Sequence, residues 1–132
     1  MNIQRNIANQ VNPNDSNVMS VIEDAVLFQK VEYIVVCGHT NCGGVNASCS
    51  QPKNLDKSLE KYLEPVRDLF QKVRKELKGE ENCILDVMYK ENVKKQIQNL
   101  MEIDIVKNAV DSGKLTLIPM IFKLDKGILE EI

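Results

Sequence analysis

A histidine and a cysteine lie three residues apart in a short glycine-rich stretch of the chain. His39 is the only histidine of the sequence, and Cys42 follows it within Cys37-Gly38-His39-Thr40-Asn41-Cys42-Gly43-Gly44. Zinc accepts both an imidazole nitrogen, at about 2.0–2.1 Å, and a thiolate, at about 2.3 Å. Glycines would let the backbone fold tightly around an ion, and Thr40 and Asn41 could supply hydrogen bonds around it. The spacing is therefore compatible with half of a zinc site, in which His39 and Cys42 would be the ligands.

The same stretch admits other interpretations from its residues alone. It can be a structural turn with a buried histidine, an inert cysteine and glycines that permit the bend. A glycine-rich turn that leads into a helix can also cradle an anion, although the Gly and Lys spacing of a P-loop is absent. A redox pair of Cys37 and Cys42 has little support, because dithiol oxidoreductases use Cys-x-x-Cys rather than Cys-x4-Cys.

Two protein ligands are fewer than a zinc enzyme ordinarily uses. Catalytic zinc takes about three protein ligands and one water, so a third donor is needed. Cys37 is a candidate, because it would face the same side as His39 in an extended segment, but burial in the core is the favoured interpretation of this thiol. Cys49 is expected to be a packing or surface thiol, and Cys83 has no nearby partner. The other sources of a third donor are a second subunit and water alone.

Composition and charge narrow the range of functions. The 132 residues are 43% hydrophobic and 27% charged, with a formal net charge of −2, so no strong field points to nucleic acid or to an anionic membrane. Three Tyr, three Phe and no Trp offer few stacking platforms for bases. No apolar run approaches the roughly 18 residues of a membrane span, and the N-terminus lacks the apolar part of a secretory signal. The expected location is cytoplasmic, with mitochondria left open, and the four cysteines are then thiols.

The elements that must position the loop have an α/β pattern. Tyr33-Ile34-Val35-Val36-Cys37 is a β-branched apolar run that predicts a strand buried on both faces of a parallel sheet and ending at Gly38. The loop follows that strand directly, and functional sites gather at the carboxyl ends of parallel strands. A short helix is predicted from about Val45 onward. Pro119 places a second strand, over residues 115–122, at a sheet edge, because proline cannot donate to a ladder.

Apolar residues at helical spacing predict the remaining elements. A loosely alternating opening over residues 3–11 indicates a short strand that runs into a loop. Turn and capping residues at 12–17 precede a helix whose apolar face is Val18, Ile22, Ala25 and Val26. Further helices are predicted over 55–78, with a kink at Pro65 and a stop at Gly79, over about 82–100, and over 103–112 with Gly113 as the cap. The order favours one α/β domain over residues 1–132, with a mostly parallel sheet flanked by helices.

Several stretches together resemble the beta-class carbonic anhydrases, particularly the fungal ones. They are Arg5-Asn6-Ile7-Ala8-Asn9, then residues 20–26, then residues 31–45, and finally residues 92–115, which resemble the later helical section of that family. Cys-Gly-His-Thr-Asn-Cys-Gly-Gly is the most diagnostic of these stretches. The resemblance covers most of the chain in one consistent order.

The resemblance implies a zinc-dependent lyase that hydrates carbon dioxide reversibly to bicarbonate. It makes His39 and Cys42 ligands of one Zn²⁺ per subunit, and it gives Gly43 and Gly44 the task of shaping the loop beside the metal. It also implies a homodimer or a higher homo-oligomer, with neither nucleic acid nor membrane as partner. Arg5 and Asn6 match a structural and interface stretch of the family.

The chain also departs from the family pattern. Cys-x-Asp-x-Arg, which supplies the third ligand and an Asp–Arg pair on the first core strand, occurs nowhere in it, and Met1 lies only four residues before Arg5. The first core strand is therefore expected to be missing, leaving apolar sheet surface exposed. Asp24 and Asn2 stand where the family commonly has a Tyr and a Phe of its cleft. Near the C-terminus, Pro119 and Met120 replace a Gly and aromatic pair, and Phe122 stands where a Tyr is usual. The alternative function is thus a catalytically inactive fragment or paralogue that serves as a zinc-binding or subunit-association module.

Overall fold

The computed structural model describes residues 1–78 and 84–132. Within these ranges the helices and strands follow in the order α1 (Ser16–Glu23), β1 (Tyr33–His39), α2 (Gly43–Ser50), α3 (Lys57–Glu76), α4 (Ile84–Met101), α5 (Asp104–Asp111), β2 (Thr116–Lys123) and β3 (Ile128–Glu131). A 3₁₀ turn lies at Ile7–Asn9, and a π-helical turn, Asp24–Phe28, continues α1. In this part of the chain, no helix has the length and apolar character to cross a membrane.

The three strands form one mixed sheet in the order β1-β2-β3. β1 runs parallel to β2, with register pairs from Tyr33–Thr116 to His39–Phe122. β3 returns antiparallel to β2 after a short turn. The helices between β1 and β2 supply the long crossover that parallel strands need. The predicted α/β class is confirmed, and the parallel pair is the one that carries the predicted loop.

The hydrophobic core lies between the helices and one face of the sheet. α4 packs on both β1 and β2 and also contacts α2 and α3. Its Met88 and Val93 are fully buried, together with Leu63 of α3 and Ile121 of β2. α3 runs through Pro65 without a break, and Leu63, Val66, Phe70 and Val73 form its buried stripe, at the helical spacing that the sequence indicated.

Two predicted helix ends are confirmed by their hydrogen bonds. The Asp15 carboxylate accepts from the backbone N–H of Asn17 at the start of α1. At the end of α5, Gly113 has φ +71° and its N–H donates to the Val110 carbonyl, while the Lys114 N–H donates to Ala109. This pattern is a Schellman motif, which satisfies carbonyls that the helix leaves unpaired. The predicted stop at Gly79, a helix start at 82 and the thiol of Cys83 lie outside the described residues.

The predicted burial of β1 on both faces was wrong. Val36 and Gly38 are buried beneath α4, whereas Tyr33 and Val35 on the opposite face are 60% and 48% exposed. The strand also continues through Gly38 to His39 instead of ending at the glycine. An apolar run alone does not reveal which face a helix covers, so the run indicated a strand but not its exposure. The expectation of exposed apolar sheet surface is confirmed at these two residues.

The edge position predicted from Pro119 was also wrong, because β2 is the middle strand. The Thr116 N–H donates to Glu32 and the Thr40 N–H donates to Phe122, so the even-numbered residues of β2 turn their backbone groups towards β1. Pro119 is odd-numbered, and its missing N–H therefore faces the β3 side. There, ladder pairing begins at Met120 opposite Glu131, and the Pro119 carbonyl still accepts from Ile132. A proline is tolerated at this position because no ladder bond from its nitrogen is required.

The opening strand predicted over residues 3–11 was wrong as well. The N-terminal segment, residues 6–11, is irregular, and Ala8 and Asn9 have φ values of +62° and +43°. Its backbone groups form hydrogen bonds with side chains of α4. Asn92 Nδ2 donates to the Ala8 carbonyl at 2.8 Å, and the Val11 N–H donates to Gln96 Oε1 at 2.8 Å. Side-chain amides thus satisfy the backbone groups that a sheet would otherwise satisfy.

Candidate metal site

The two predicted ligands lie at the two ends of a tight turn between β1 and α2. His39 is the last residue of β1, and Cys42 is the N-cap of α2. Thr40 and Asn41 form the turn between them. This places both residues at the carboxyl end of a parallel strand, the part of an α/β sheet where functional sites gather. Residues 39–46, from His39 to the first turn of α2, are called the ligand loop below.

The ring of His39 is fixed by a bond to the backbone. Its Nδ1 lies 2.9 Å from the carbonyl oxygen of Thr40. A carbonyl oxygen can only accept, so Nδ1 carries the hydrogen, and in the neutral ring Nε2 keeps a free lone pair. A metal-binding histidine ordinarily donates its other ring N–H to such an acceptor, which fixes the tautomer. The Thr40 carbonyl is therefore an acceptor of the kind that a zinc ligand requires.

Cys42 is held at a helix start in an apolar setting. It is 5% exposed, and its carbonyl accepts from the Asn46 N–H at 2.9 Å, the first hydrogen bond of α2. The N-terminus of a helix favours a nearby negative charge, because its unpaired N–H groups form the positive end of the helix dipole. A thiolate at this position is suited to a cation. The local setting of Cys42 therefore fits the ligand role predicted for it.

Thr40 connects the turn to the sheet. Its N–H donates to the Phe122 carbonyl at 3.0 Å, and its Oγ1 accepts from the Leu124 N–H at 3.0 Å. The hydroxyl was expected to hydrogen-bond near the ion, but in the structure it accepts from the backbone just after β2. This pair of bonds extends the parallel ladder one residue beyond His39. The position of His39 is thereby fixed relative to β2.

Asn41 and two residues that the sequence did not single out hold the other side of the turn. Asn41 has φ +56° and accepts at Oδ1 from Asn46 Nδ2 at 3.2 Å. The Tyr89 hydroxyl donates to Asn46 Oδ1 at 2.7 Å. Burial raises the pKa of the Tyr89 hydroxyl above its ordinary value, and its hydrogen bond with Asn46 offsets only part of the increase. Tyr89 lies 43 positions after Asn46 in the chain, so no sequence spacing could have placed the two in contact.

The glycines of the loop allow close packing between elements. A Cβ on Gly38 would lie 2.6 Å from Val93 Cγ2 of α4, and a Cβ on Gly44 would lie 2.7 Å from Ile7 Cγ2. A Cβ on Gly43 would meet nothing within 4 Å. The only left-handed residue of the turn is Asn41, a residue type that adopts this conformation more readily than most. The predicted shaping of the loop by glycine thus consists of the close approach of neighbouring segments at Gly38 and Gly44.

No third donor completes the site within residues 1–78 and 84–132, where no cluster of three or more His, Cys, Asp and Glu side chains could hold a metal ion. Cys37 shares a sheet face with His39 but is exposed, so the predicted core position was wrong. Cys49 packs against the core from α2, and burial raises its pKa to about 11. Two of the donors that zinc requires are thus present at the loop, and the convergence of His39 and Cys42 on one ion stays a prediction.

The residues that depart from the family pattern near the N-terminus contact one another. Asn2 Nδ2 donates to Asp24 Oδ2 at 3.3 Å. Gln29 Nε2 donates both to Asp24 Oδ2 and to Asn2 Oδ1, the latter at 3.3 Å. All of these bonds are exposed to solvent. The substitutions at Asn2 and Asp24 therefore belong to one polar surface cluster rather than to two separate changes.

A cleft of about 960 Å³ borders the turn. Its walls are Thr40 and Asn41, the first residues of α4 and the turn between β2 and β3. Charged residues of both signs line it: Asp86, Lys90, Lys123, Asp125 and Lys126. Lys123 also forms an ion pair with Glu130, which raises the pKa of Lys123 and lowers that of Glu130. The cleft gives solvent and small solutes access to the turn between the two predicted ligands.

Comparison with known proteins places the chain among related sequences. A family model described as carbonic anhydrase matches residues 1–129. A carbonic anhydrase of Emericella nidulans is 33% identical over an alignment of 137 positions, which covers 98% of this chain and 58% of that protein. A carbonic anhydrase of Saccharomyces cerevisiae is 26% identical over 97% of this chain and 61% of its own length. The chain thus spans about 60% of the length of these relatives.

Solved structures show the same likeness. A tetrameric beta-carbonic anhydrase from Sordaria macrospora superposes with a TM-score of 0.88 at 30% identity, covering 98% of this chain and 66% of that one. A Coccomyxa beta-carbonic anhydrase in complex with acetazolamide also gives 0.88 at 30% identity, over 98% of this chain and 59% of that one. The described fold is therefore shared with proteins that are longer than this chain.

Proposed function

The chain belongs to the beta-class carbonic anhydrase family, and from this premise we propose that its ligand loop is part of a zinc site at which carbon dioxide is reversibly hydrated to bicarbonate. The observation that supports this most directly is the hydrogen bond between His39 Nδ1 and the Thr40 carbonyl. It leaves Nε2 free to bind a metal at the carboxyl end of β1. Cys42, at the N-terminus of α2, supplies the second donor.

In this proposal His39 and Cys42 bind the metal ion and fix its position, and neither side chain reacts with the substrate. Bound zinc supplies a Lewis acid that makes hydroxide available near neutral pH. His39 would hold the ion through Nε2 and Cys42 through its sulfur. Thr40 would fix the imidazole, and the adjacent cleft would admit the small substrate. No general base is assigned to the described residues.

No group of three possible metal ligands occurs among the described residues of one chain, and the sequence suggests a second subunit or water as the source of the third donor. A Sordaria macrospora relative is described as tetrameric, and we propose a homodimer or a higher homo-oligomer for this chain. A cytoplasmic location, with mitochondria as the second option, completes the proposal.

A second function is favoured by one observation. Tyr33 and Val35 expose an apolar sheet face on β1, and β1 pairs with a described strand on one side only. Exposed apolar surface of this kind marks interaction sites. The chain would then be a zinc-binding or subunit-association module without catalytic activity. It would bind zinc or associate with other subunits, but would not hydrate carbon dioxide.

The test combines metal analysis with stopped-flow carbon dioxide hydration on the 132-residue chain. We expect about one zinc per chain, and we expect His39→Ala and Cys42→Ser each to lose most of it while retaining the helical circular dichroism signal. Cys49→Ser is the matched control, because Cys49 lies on the same helix and packs against the core, and it should keep its zinc. Zinc binding without hydration would select the module. Equal zinc content in wild type, His39→Ala and Cys42→Ser would overturn the zinc site in both functions.

A further inference from the structure

A tyrosine of α4 reaches the ligand loop. Tyr89 is 6% exposed, and its hydroxyl donates to Asn46 Oδ1 at 2.7 Å. Asn46 lies in the first turn of α2, and its own N–H donates to the Cys42 carbonyl at 2.9 Å. One residue therefore connects Tyr89 to the backbone of a proposed zinc ligand. The ring of Tyr89 is anchored in the core, so the hydroxyl is a fixed point for the loop.

Asn46 also contacts the middle of the turn. Its Nδ2 donates to Asn41 Oδ1 at 3.2 Å. Asn41 has φ +56°, a conformation that residues other than glycine seldom adopt. Asn46 thus connects Tyr89 to the one left-handed residue between His39 and Cys42.

The turn is consequently held from two independent sides. On the sheet side, Thr40 bonds to the backbone of Phe122 and Leu124 and fixes His39. On the helix side, Tyr89 and Asn46 fix the start of α2 and with it Cys42. The distance between the imidazole and the thiolate depends on both attachments, because one attachment fixes His39 and the other fixes Cys42. Loss of either attachment would let the two ligands move relative to each other.

We propose that Tyr89 and Asn46 are positioning residues that set the separation of His39 and Cys42 for metal binding. This inference rests on the zinc role proposed above and adds residues to it that bind no metal themselves. Ligands held in place by the protein lose less freedom when the ion binds, so affinity rises. Removal of the Tyr89 hydroxyl should therefore weaken metal binding more than it disturbs the fold.

The first experiment measures binding of Co²⁺, whose absorption reports thiolate ligation, to the 132-residue chain. Tyr89→Phe keeps the buried ring and removes only the hydroxyl, and we expect about five-fold weaker binding, the factor that one ordinary hydrogen bond represents, with a shifted thiolate-to-metal band. Asn46→Ala should weaken binding at least as much. Asn46→Asp keeps an acceptor for Tyr89 and should recover part of the loss. Tyr62→Phe is the matched control, because Tyr62 is a half-buried tyrosine of α3, and this variant should bind Co²⁺ as wild type does.

The second experiment is independent of metal, so that the positioning role can be shown to fail even where the zinc role stands. Hydrogen exchange of the metal-free protein should be faster at the Asn46 amide in Tyr89→Phe than in wild type, with no change at the amides of β1. Unchanged exchange at Asn46 would overturn the positioning role, whether or not the chain binds zinc. Faster exchange together with unaltered Co²⁺ affinity and spectrum would overturn it too. If wild type binds no Co²⁺ at all, the zinc role fails and this inference fails with it, even if exchange at Asn46 is faster.

Discussion

α4 fixes two irregular segments of this protein in different ways. It holds the N-terminal segment through a row of amide side chains, of which Asn92 and Gln96 are 1% and 4% exposed. It holds the ligand loop through the hydroxyl of Tyr89, whose bond with the half-buried Asn46 lies beside the exposed Asn41. Buried hydrogen bonds are costly to break, because the partner left behind has no water to replace them. The comparison indicates that the first segment contributes to stability and the second to the geometry of the site.

The amide row is fully connected. Gln96 accepts from the Val11 N–H and from Asn99 Nδ2, and it donates to Asn92 Oδ1. Asn99 also donates to the Val11 carbonyl, and Asn92 to that of Ala8. Networks of this kind stabilise a fold only when every member is satisfied. Loss of one member should therefore affect the whole N-terminal segment.

The largest effect is expected from Gln96→Leu. This substitution leaves the partly buried Val11 N–H and the buried Asn92 Oδ1 without these partners, and we expect the free energy of unfolding to fall by about 2–4 kcal/mol, since each buried unsatisfied group costs about 1–3 kcal/mol. Urea unfolding followed by circular dichroism measures the change. Gln98→Leu is the control, because Gln98 is exposed on the same helix, and it should stay within about 0.5 kcal/mol. Similar losses in both variants would show that the amide row has no special role.

The sequence predicted most elements whose causes are local. The capping side chain of Asp15, the apolar stripe of α3 and the Gly113 end of α5 follow from short spacings, and the structure confirms all three. The predictions that were wrong depended on partners far away in the chain. Residues 3–11 have the sequence pattern of a strand, but their backbone groups form hydrogen bonds with the side-chain amides of α4, more than 80 positions later in the chain.

The residues of the candidate site also fall into two groups, those that short spacing in the sequence indicates and those that only tertiary contact brings to the site. His39 and Cys42 could be selected because three positions separate them, and the acceptor for His39 is the next residue in the chain. Tyr89 could not be selected, because its contact with Asn46 exists only once α4 has packed on α2. The source of a third donor is likewise a matter of tertiary or quaternary structure, which residue spacing does not encode.

An intermediate effect is expected where the two segments touch. A Cβ at Gly44 would lie 2.7 Å from Ile7 Cγ2 and 3.2 Å from Ala8 Cβ, so Gly44→Ala forces the ligand loop and the N-terminal segment apart. We expect a loss of about 1–2 kcal/mol, because overpacking costs about 1–3 kcal/mol and the gain in helix propensity offsets part of it. Gly43→Ala, one residue earlier with open space around it, should be neutral or slightly stabilising in the same urea titration. A loss in Gly43→Ala as large as that in Gly44→Ala would mean that the contact between the segments is not the cause.

The smallest effect is expected at the exposed turn itself, where backbone conformation and side-chain bonding can be separated. Asn41→Gly removes the 3.2 Å bond from Asn46 but suits the φ of +56°, and because exposed bonds contribute little we expect a change within about 0.5 kcal/mol. Asn41→Ala removes the same bond and keeps a Cβ in the left-handed conformation without the local hydrogen bonding by which asparagine tolerates it, which costs about 1–2 kcal/mol relative to glycine. The difference between the two variants, read from thermal unfolding at one pH, therefore isolates the conformational cost. Equal losses in Gly and Ala variants would show that the side-chain bond holds the turn, and the ligand loop would then resemble the amide-bound N-terminal segment rather than contrast with it.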